Sequence, residues 1–159
     1  MNENLKASEA CRALIKKWEG LHDGNPRTSL LEPLADPVGI PTIGWGSTFY
    51  EDGKRVTFDD PPITLERAEQ MLAHDLVKFE NVIKMYVKVE LNQNQFDALV
   101  SLVYNIGSTN FAGSTLLKKI NERCFSCAAD QFPRWSHSHG KFLLGLQNRR
   151  YDEKLLFLK

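Results

Sequence analysis

With 159 residues, 42% of them hydrophobic and 25% charged, the chain is long enough for one domain with a substantial core and too short for two ordinary ones. Twenty basic residues balance twenty acidic ones, so net charge argues against a nucleic-acid binder and against a protein held on membrane surfaces. No stretch stays apolar for the roughly 18 residues that a membrane helix needs, which predicts a soluble protein without stable membrane association.

The segment from Met1 to Lys6 lacks the basic, apolar and small-residue regions of an export signal, and this places the newly made chain in the cytoplasm. Three cysteines, Cys11, Cys124 and Cys127, are an odd number with no disulfide spacing pattern, as expected in a reducing compartment. Cys124 and Cys127 with His137 and His139 supply two thiolates and two imidazoles, but the spacing matches no zinc-finger pattern, and cysteine commonly fills helical cores as a small hydrophobe. No metal is assigned. Charge is uneven along the chain: from Lys118 to Lys159 there are nine Lys or Arg against four acids, a mildly basic face suited either to an anionic polymer or to solvent.

In chain order, Ser8 is placed to cap a first helix whose Cys11, Leu14, Ile15 and Trp18 recur at helical spacing, with Gly20 to end it. Glu19 then falls on the last turn, where the negative pole of the helix disfavours ionisation; a frayed surface position is the plain alternative. Residues from His22 to Pro33 are dense in turn formers and read as a loop. Asp36-Pro37-Val38-Gly39 has the composition of a type I turn. The run from Ile40 to Tyr50, a turn at Glu51 to Lys54 and a strand from Arg55 to Phe58 predict a small antiparallel hairpin or meander, with Gly44 and Gly46 opening one strand to close approach.

Thr64 caps a long helix carrying Ala68, Met71, Leu72, Leu76, Phe79, Val82, Ile83 and Tyr86. Asn92 or Asn94 caps another that is apolar nearly all round from Phe96 to Ile106 and closes at Gly107. Short helices near Ser114 to Asn121 and Ser126 to Phe132 precede a last one from about Gly145 to Leu158. There is no internal repeat or linker, so the whole of 1–159 reads as one mostly helical α+β domain.

Two carboxylates, Glu19 and Asp36, are expected at opposite lips of one cleft. Hydrolysis of a sugar–sugar bond needs such a pair, one carboxyl protonated to serve the leaving oxygen and the other ionised to activate water or attack the sugar carbon.

Set in order, Glu19-Gly20-Leu21, Asp36-x-x-Gly39-x-x-Thr42-Ile43-Gly44-x-Gly46, Asn94 to Ser101, Tyr104-Asn105-Ile106-Gly107, Phe111 with Ser114 to Leu117, and Gly140-Lys141 leading to Gly145-Leu146 and Arg149-Arg150 form a specific series. By these motifs the chain resembles the phage-type lysozymes, the endolysins with which tailed phages break bacterial walls. The resemblance implies a lysozyme-like two-lobed fold. Its N-terminal lobe, about 8–62, holds a small antiparallel sheet, a connecting helix spans about 64–88, and a helical C-terminal lobe covers about 90–159.

The same resemblance implies a catalytic set falling on Glu19, Asp36 and Thr42. The interval from Glu19 to Asp36 is about eight residues longer than in the commonest members, an insertion cheap in closure entropy that leaves Asp23 and Glu32 as lesser candidates for the second acid. Ser47 stands where many relatives have His. The implied substrate is peptidoglycan glycan, cleaved between N-acetylmuramic acid and N-acetylglucosamine with no cofactor; a lytic transglycosylase, a chitinase or a non-catalytic wall-binding module are the alternatives. Trp45, Phe49, Tyr50, Tyr104 and Asn105 are the candidate sugar-binding residues, since rings stack on apolar sugar faces and an amide bonds N-acetyl groups. Trp135, Arg149 and Arg150 read as structural, with an Arg pairing an acid. Host lysis is implied to depend on a separate membrane-permeabilising protein, a holin, and the enzyme is expected to be a monomer.

Overall fold

A computed structural model describes residues 1–21 and 27–159. Asp23 and the first part of the predicted loop lie outside the described residues. Seven helices, α1 (Glu9–Glu19), α2 (Leu65–Tyr86), α3 (Gln93–Ile106), α4 (Ser108–Ala112), α5 (Thr115–Asn121), α6 (Phe125–Ala129) and α7 (Leu144–Phe157), account for most of the described chain. Two short antiparallel pairs join them, β1 (Leu34–Ala35) with β2 (Pro41–Thr42) and β3 (His137–Ser138) with β4 (Lys141–Phe142). Two compact units result, one of Ile15–Leu76 and one of Met1–Leu14 together with Val77–Lys159.

The helix ends follow the predicted signals. Thr64 accepts the Arg67 N–H at 3.1 Å through its hydroxyl, Asn92 and Gln95 form a reciprocal capping box, and Ser114 accepts from Leu117 N. Gly20 closes α1 at φ +75° and Gly107 closes α3 at φ +88°, values that favour glycine. Ser8 precedes α1, and its backbone N–H and hydroxyl both go to the buried Asp97 carboxylate on α3.

In the unit that includes the C-terminus, α3 is buried along most of its length, from Phe96 to Val103, as its all-round apolar sequence requires. Phe111, Phe132 and Phe157 complete this core. The 15–76 unit has a smaller core in which Ile43, Val56 and Met71 are fully buried and Tyr50 and Ile63 pack against them.

Three features differ from the sequence expectation. First, the hairpin around Asp36 draws its leading strand from Leu34–Ala35, and Leu31, inside the predicted loop, pairs in antiparallel fashion with Ile63; these strands are too short for alternation to be read. Second, α4, the β3–β4 hairpin and a 3-10 turn at Phe132–Arg134 were not foreseen. Third, Cys124 and Cys127 form a disulfide and only Cys11 is a free thiol, against the expectation of no pairing. Spacing of three residues across the start of α6 brings their Cα atoms to 5.2 Å, within the span a disulfide bridges.

Candidate active site

Asp36 opens the β1–β2 turn and also holds it. Its Oδ1 accepts the N–H groups of Val38 at 2.9 Å and Ile40 at 2.8 Å, while its backbone closes the turn through Gly39 N–H to Asp36 O and Asp36 N–H to Ile40 O. An Asp at the first turn position favours this local bonding. Oδ2 takes neither side-chain bond, so the carboxylate is fixed in orientation with one oxygen directed elsewhere. Thr42 lies on the facing strand, paired with Leu34, and is 3% exposed. Its hydroxyl donates to Leu34 O at 2.9 Å, which sets the direction of the hydroxyl lone pairs. Asp36 and Thr42 thus belong to one hairpin, and Glu19, half-buried at the end of α1, belongs to the same compact unit. Glu32 is half-buried between Leu31 and β1.

After Thr42 the chain makes a second tight turn. Ile43 and Ser47 exchange backbone hydrogen bonds at 3.0 and 3.1 Å, carrying Trp45 at the tip between Gly44 and Gly46. Gly44 is required here. Its φ is +65°, and a Cβ would stand 2.8 Å from Ala68 Cβ on α2. Ser47 is buried and donates its hydroxyl to Asp75 Oδ2 at 2.7 Å. Burial raises the Asp75 carboxyl above its ordinary value, and the Ser47 bond opposes that rise.

Among the candidate sugar-binding aromatics, Phe49 is the most open at 44% exposure, with the Arg55 guanidinium 5.0 Å from its ring centroid. The half-buried Trp45 ring has Lys16 Nζ at 5.3 Å. Tyr50 is occupied differently: its ring packs on the Ile43 core and its hydroxyl donates to Asp60 Oδ2 at 2.8 Å. Burial and that bond push the Tyr50 hydroxyl up to about 12. Tyr104 and Asn105 belong to the other unit. Tyr104 meets Phe79 edge to face at 5.3 Å, and Asn105 Oδ1 accepts from Arg150 Nη1 at 2.8 Å.

Asn105 also lines a cavity of about 390 Å³ with Asn110, Trp135, His137, His139 and Leu146. Sequence reasoning missed this cavity, because the β3–β4 hairpin that forms one side leaves no periodic signal. It also missed Lys16 and Asp75, which read as ordinary polar positions on amphipathic helices. Among the described residues no group of three or more His, Cys, Asp or Glu is arranged to hold a metal ion. None of the described helices is long and apolar enough to cross a membrane.

Seven helices with short antiparallel hairpins in this chain order are the elements of a lysozyme fold, and an endolysin from Escherichia coli O157:H7 phage FAHEc1 superposes with a TM-score of 0.86. It is 37% identical, and the match covers 98% of this chain and 95% of that one. The chain belongs to the phage lysozyme family, whose model matches residues 8–153. It is similar to the endolysin of Salmonella phage P22, 44% identical over 128 residues, 80% of this chain and 86% of the relative. It is also similar to the endolysin of Bacillus phage PZA, 38% identical over 158 residues, where it spans 96% of its own length and 55% of the relative.

Proposed function

We propose that this chain is an endolysin that hydrolyses the β-1,4 bond from N-acetylmuramic acid to N-acetylglucosamine in bacterial peptidoglycan, lysing the host cell without a cofactor. The observation that carries this reading is the Asp36 turn. A carboxylate locked through one oxygen by two backbone N–H groups, on the same hairpin as a buried Thr hydroxyl bonded to Leu34 O, suits a group that must meet a water or a sugar carbon at a defined angle. Glu19 serves as general acid and gives its proton to the leaving glycosidic oxygen. Asp36, ionised, activates water or stabilises the oxocarbenium-like transition state, and the Thr42 hydroxyl orients that water.

Phe49 and Trp45 present rings for stacking on apolar sugar faces; in the other unit, Tyr104 has a ring and Asn105 an amide of the kinds that bind sugars. Tyr50 contributes by holding the turn next to Phe49 in shape. The enzyme acts as a monomer on glycan strands, binds no nucleic acid, and passes from the cytoplasm to the wall once a holin has permeabilised the membrane.

Reducing-end release from purified peptidoglycan, measured in parallel for wild type, Glu19→Gln and Asp36→Asn, tests the assignment. Wild type is expected to release reducing ends and both variants to fold and release almost none. Anhydro-muramic ends in the product spectrum indicate a lytic transglycosylase, cleavage of chitin alone a chitinase, and binding with no cleavage a wall-binding module; each of these results overturns the proposal.

A further inference from the structure

Lys16 lies on the last turns of α1, three residues before Glu19, and its backbone carbonyl accepts the Gly20 N–H that ends the helix at 3.1 Å. Its side chain is 19% exposed and reaches two other elements. The ammonium forms an ion pair with Glu69 on α2 and stands 5.3 Å from the centroid of the Trp45 ring. Trp45 is the tip of the turn that begins one residue after Thr42. The same helix, α2, also packs on this turn: Ala68 meets the Gly44 backbone, Met71 packs on Ile43, and Asp75 takes the Ser47 hydroxyl. The element bearing Glu19, the turn following Thr42 and the helix that backs the turn therefore converge on one ammonium.

We propose that Lys16 is a positioning residue, tying the helix end that carries Glu19 to the turn that follows Thr42 so that the two groups keep a fixed relation. The inference rests on the hydrolytic roles given above to Glu19 and Thr42. A partly exposed ion pair between two helices contributes little to stability. A pair that also clamps an aromatic ring acts through geometry, because displacement of a catalytic group by about 1 Å lowers rate about 100-fold while ground-state binding persists.

The test is steady-state reducing-end release from solubilised glycan strands by wild type, Lys16→Met, Lys16→Arg and Glu69→Gln, with thermal unfolding of each protein. Methionine keeps much of the apolar stem and removes the charge; arginine keeps the charge and the reach to both partners. Lys16→Met is expected to lose about 10-fold to 100-fold in kcat with KM changed by less than about twofold, since transition-state alignment is lost and substrate binding is not. Lys16→Arg is expected to recover most of the rate, and Glu69→Gln to fall between the two. An unchanged kcat in Lys16→Met, a loss matched by loss of folded protein, or failure of Lys16→Arg to restore the rate overturns the inference while leaving the hydrolase reading intact. Wild type that releases no reducing ends overturns the hydrolase reading, and the inference with it.

Discussion

The Ser47 hydroxyl donates to Asp75 Oδ2 across 2.7 Å, fastening the end of the Trp45 turn to α2. Ser47→Ala removes the bond and leaves a partly buried carboxyl whose charged form has lost a donor, at a cost of about 1–3 kcal/mol. Because burial raises the Asp75 value in the folded state, the stability tied to this group is fully present below its unfolded value and is lost as pH rises through the folded one. Without Ser47 the folded value rises further. Urea midpoints are therefore expected to show a larger deficit for Ser47→Ala at about pH 7 than at about pH 4, and equal deficits would count against the account.

Glu153 carries a stronger form of the same linkage. It is fully buried on α7, 2.6 Å from Arg150 and 3.8 Å from Arg149, themselves buried. Burial pushes its carboxyl from the ordinary 4.5 up to about 7, outweighing the two guanidinium groups that draw it down. The folded state thus holds this proton more tightly than the unfolded state. Its stability contribution is present below 4.5 and fades as pH rises through about 7. Acidified from neutrality towards pH 5, the wild type is expected to gain Tm relative to Glu153→Gln, whose amide cannot titrate. Parallel melting curves across that window would reject the assignment.

Gly44→Ala tests how closely α2 packs on the turn after Thr42. The substitution forces an L residue to φ +65° and places a Cβ 2.8 Å from Ala68 Cβ. A loss of about 1–3 kcal/mol is expected from the strained backbone, with the overlap adding to it. The double variant Gly44→Ala with Ala68→Gly relieves the overlap and leaves the backbone strain, so chemical denaturation is expected to show partial recovery. A helix glycine itself costs about 1 kcal/mol against alanine, and this must be subtracted using Ala68→Gly alone.

These positions show why part of the molecule was legible in the sequence and part was not. Thr64, Asn92, Ser114, Gly20 and Gly107 were readable because caps act within a few residues of the chain. The Asp36 turn was readable for the same reason, since Asp, Pro and Gly each act on their own backbone. The pairing of Leu31 with Ile63 and of Leu34 with Thr42 was not, because strands of one or two residues carry no period. Lys16, Ser47 and Asp75 were unreadable as partners because their contacts join positions far apart in sequence. The disulfide was hidden by the odd cysteine count, which hides a local pair whenever the third thiol is buried elsewhere.

Asp36 has a turn-holding role and a proposed catalytic one, and substitution can separate them. Its Oδ1 bonds to Val38 and Ile40 hold the turn, and its charge is assigned to catalysis. Asparagine keeps an oxygen acceptor at the same place, so Asp36→Asn is expected to fold with nearly wild-type Tm and to lose about 10²-fold to 10⁴-fold in reducing-end release. Alanine removes the acceptor as well, leaving two turn N–H groups to solvent, and Asp36→Ala is expected to lose about 1 kcal/mol of stability in addition to the activity. If both variants lose stability alike, the turn does not depend on the side-chain oxygen. If Asp36→Asn keeps full rate, and Asp23→Asn or Glu32→Gln does not, the second carboxylate lies in the segment before the hairpin and Asp36 serves the turn alone.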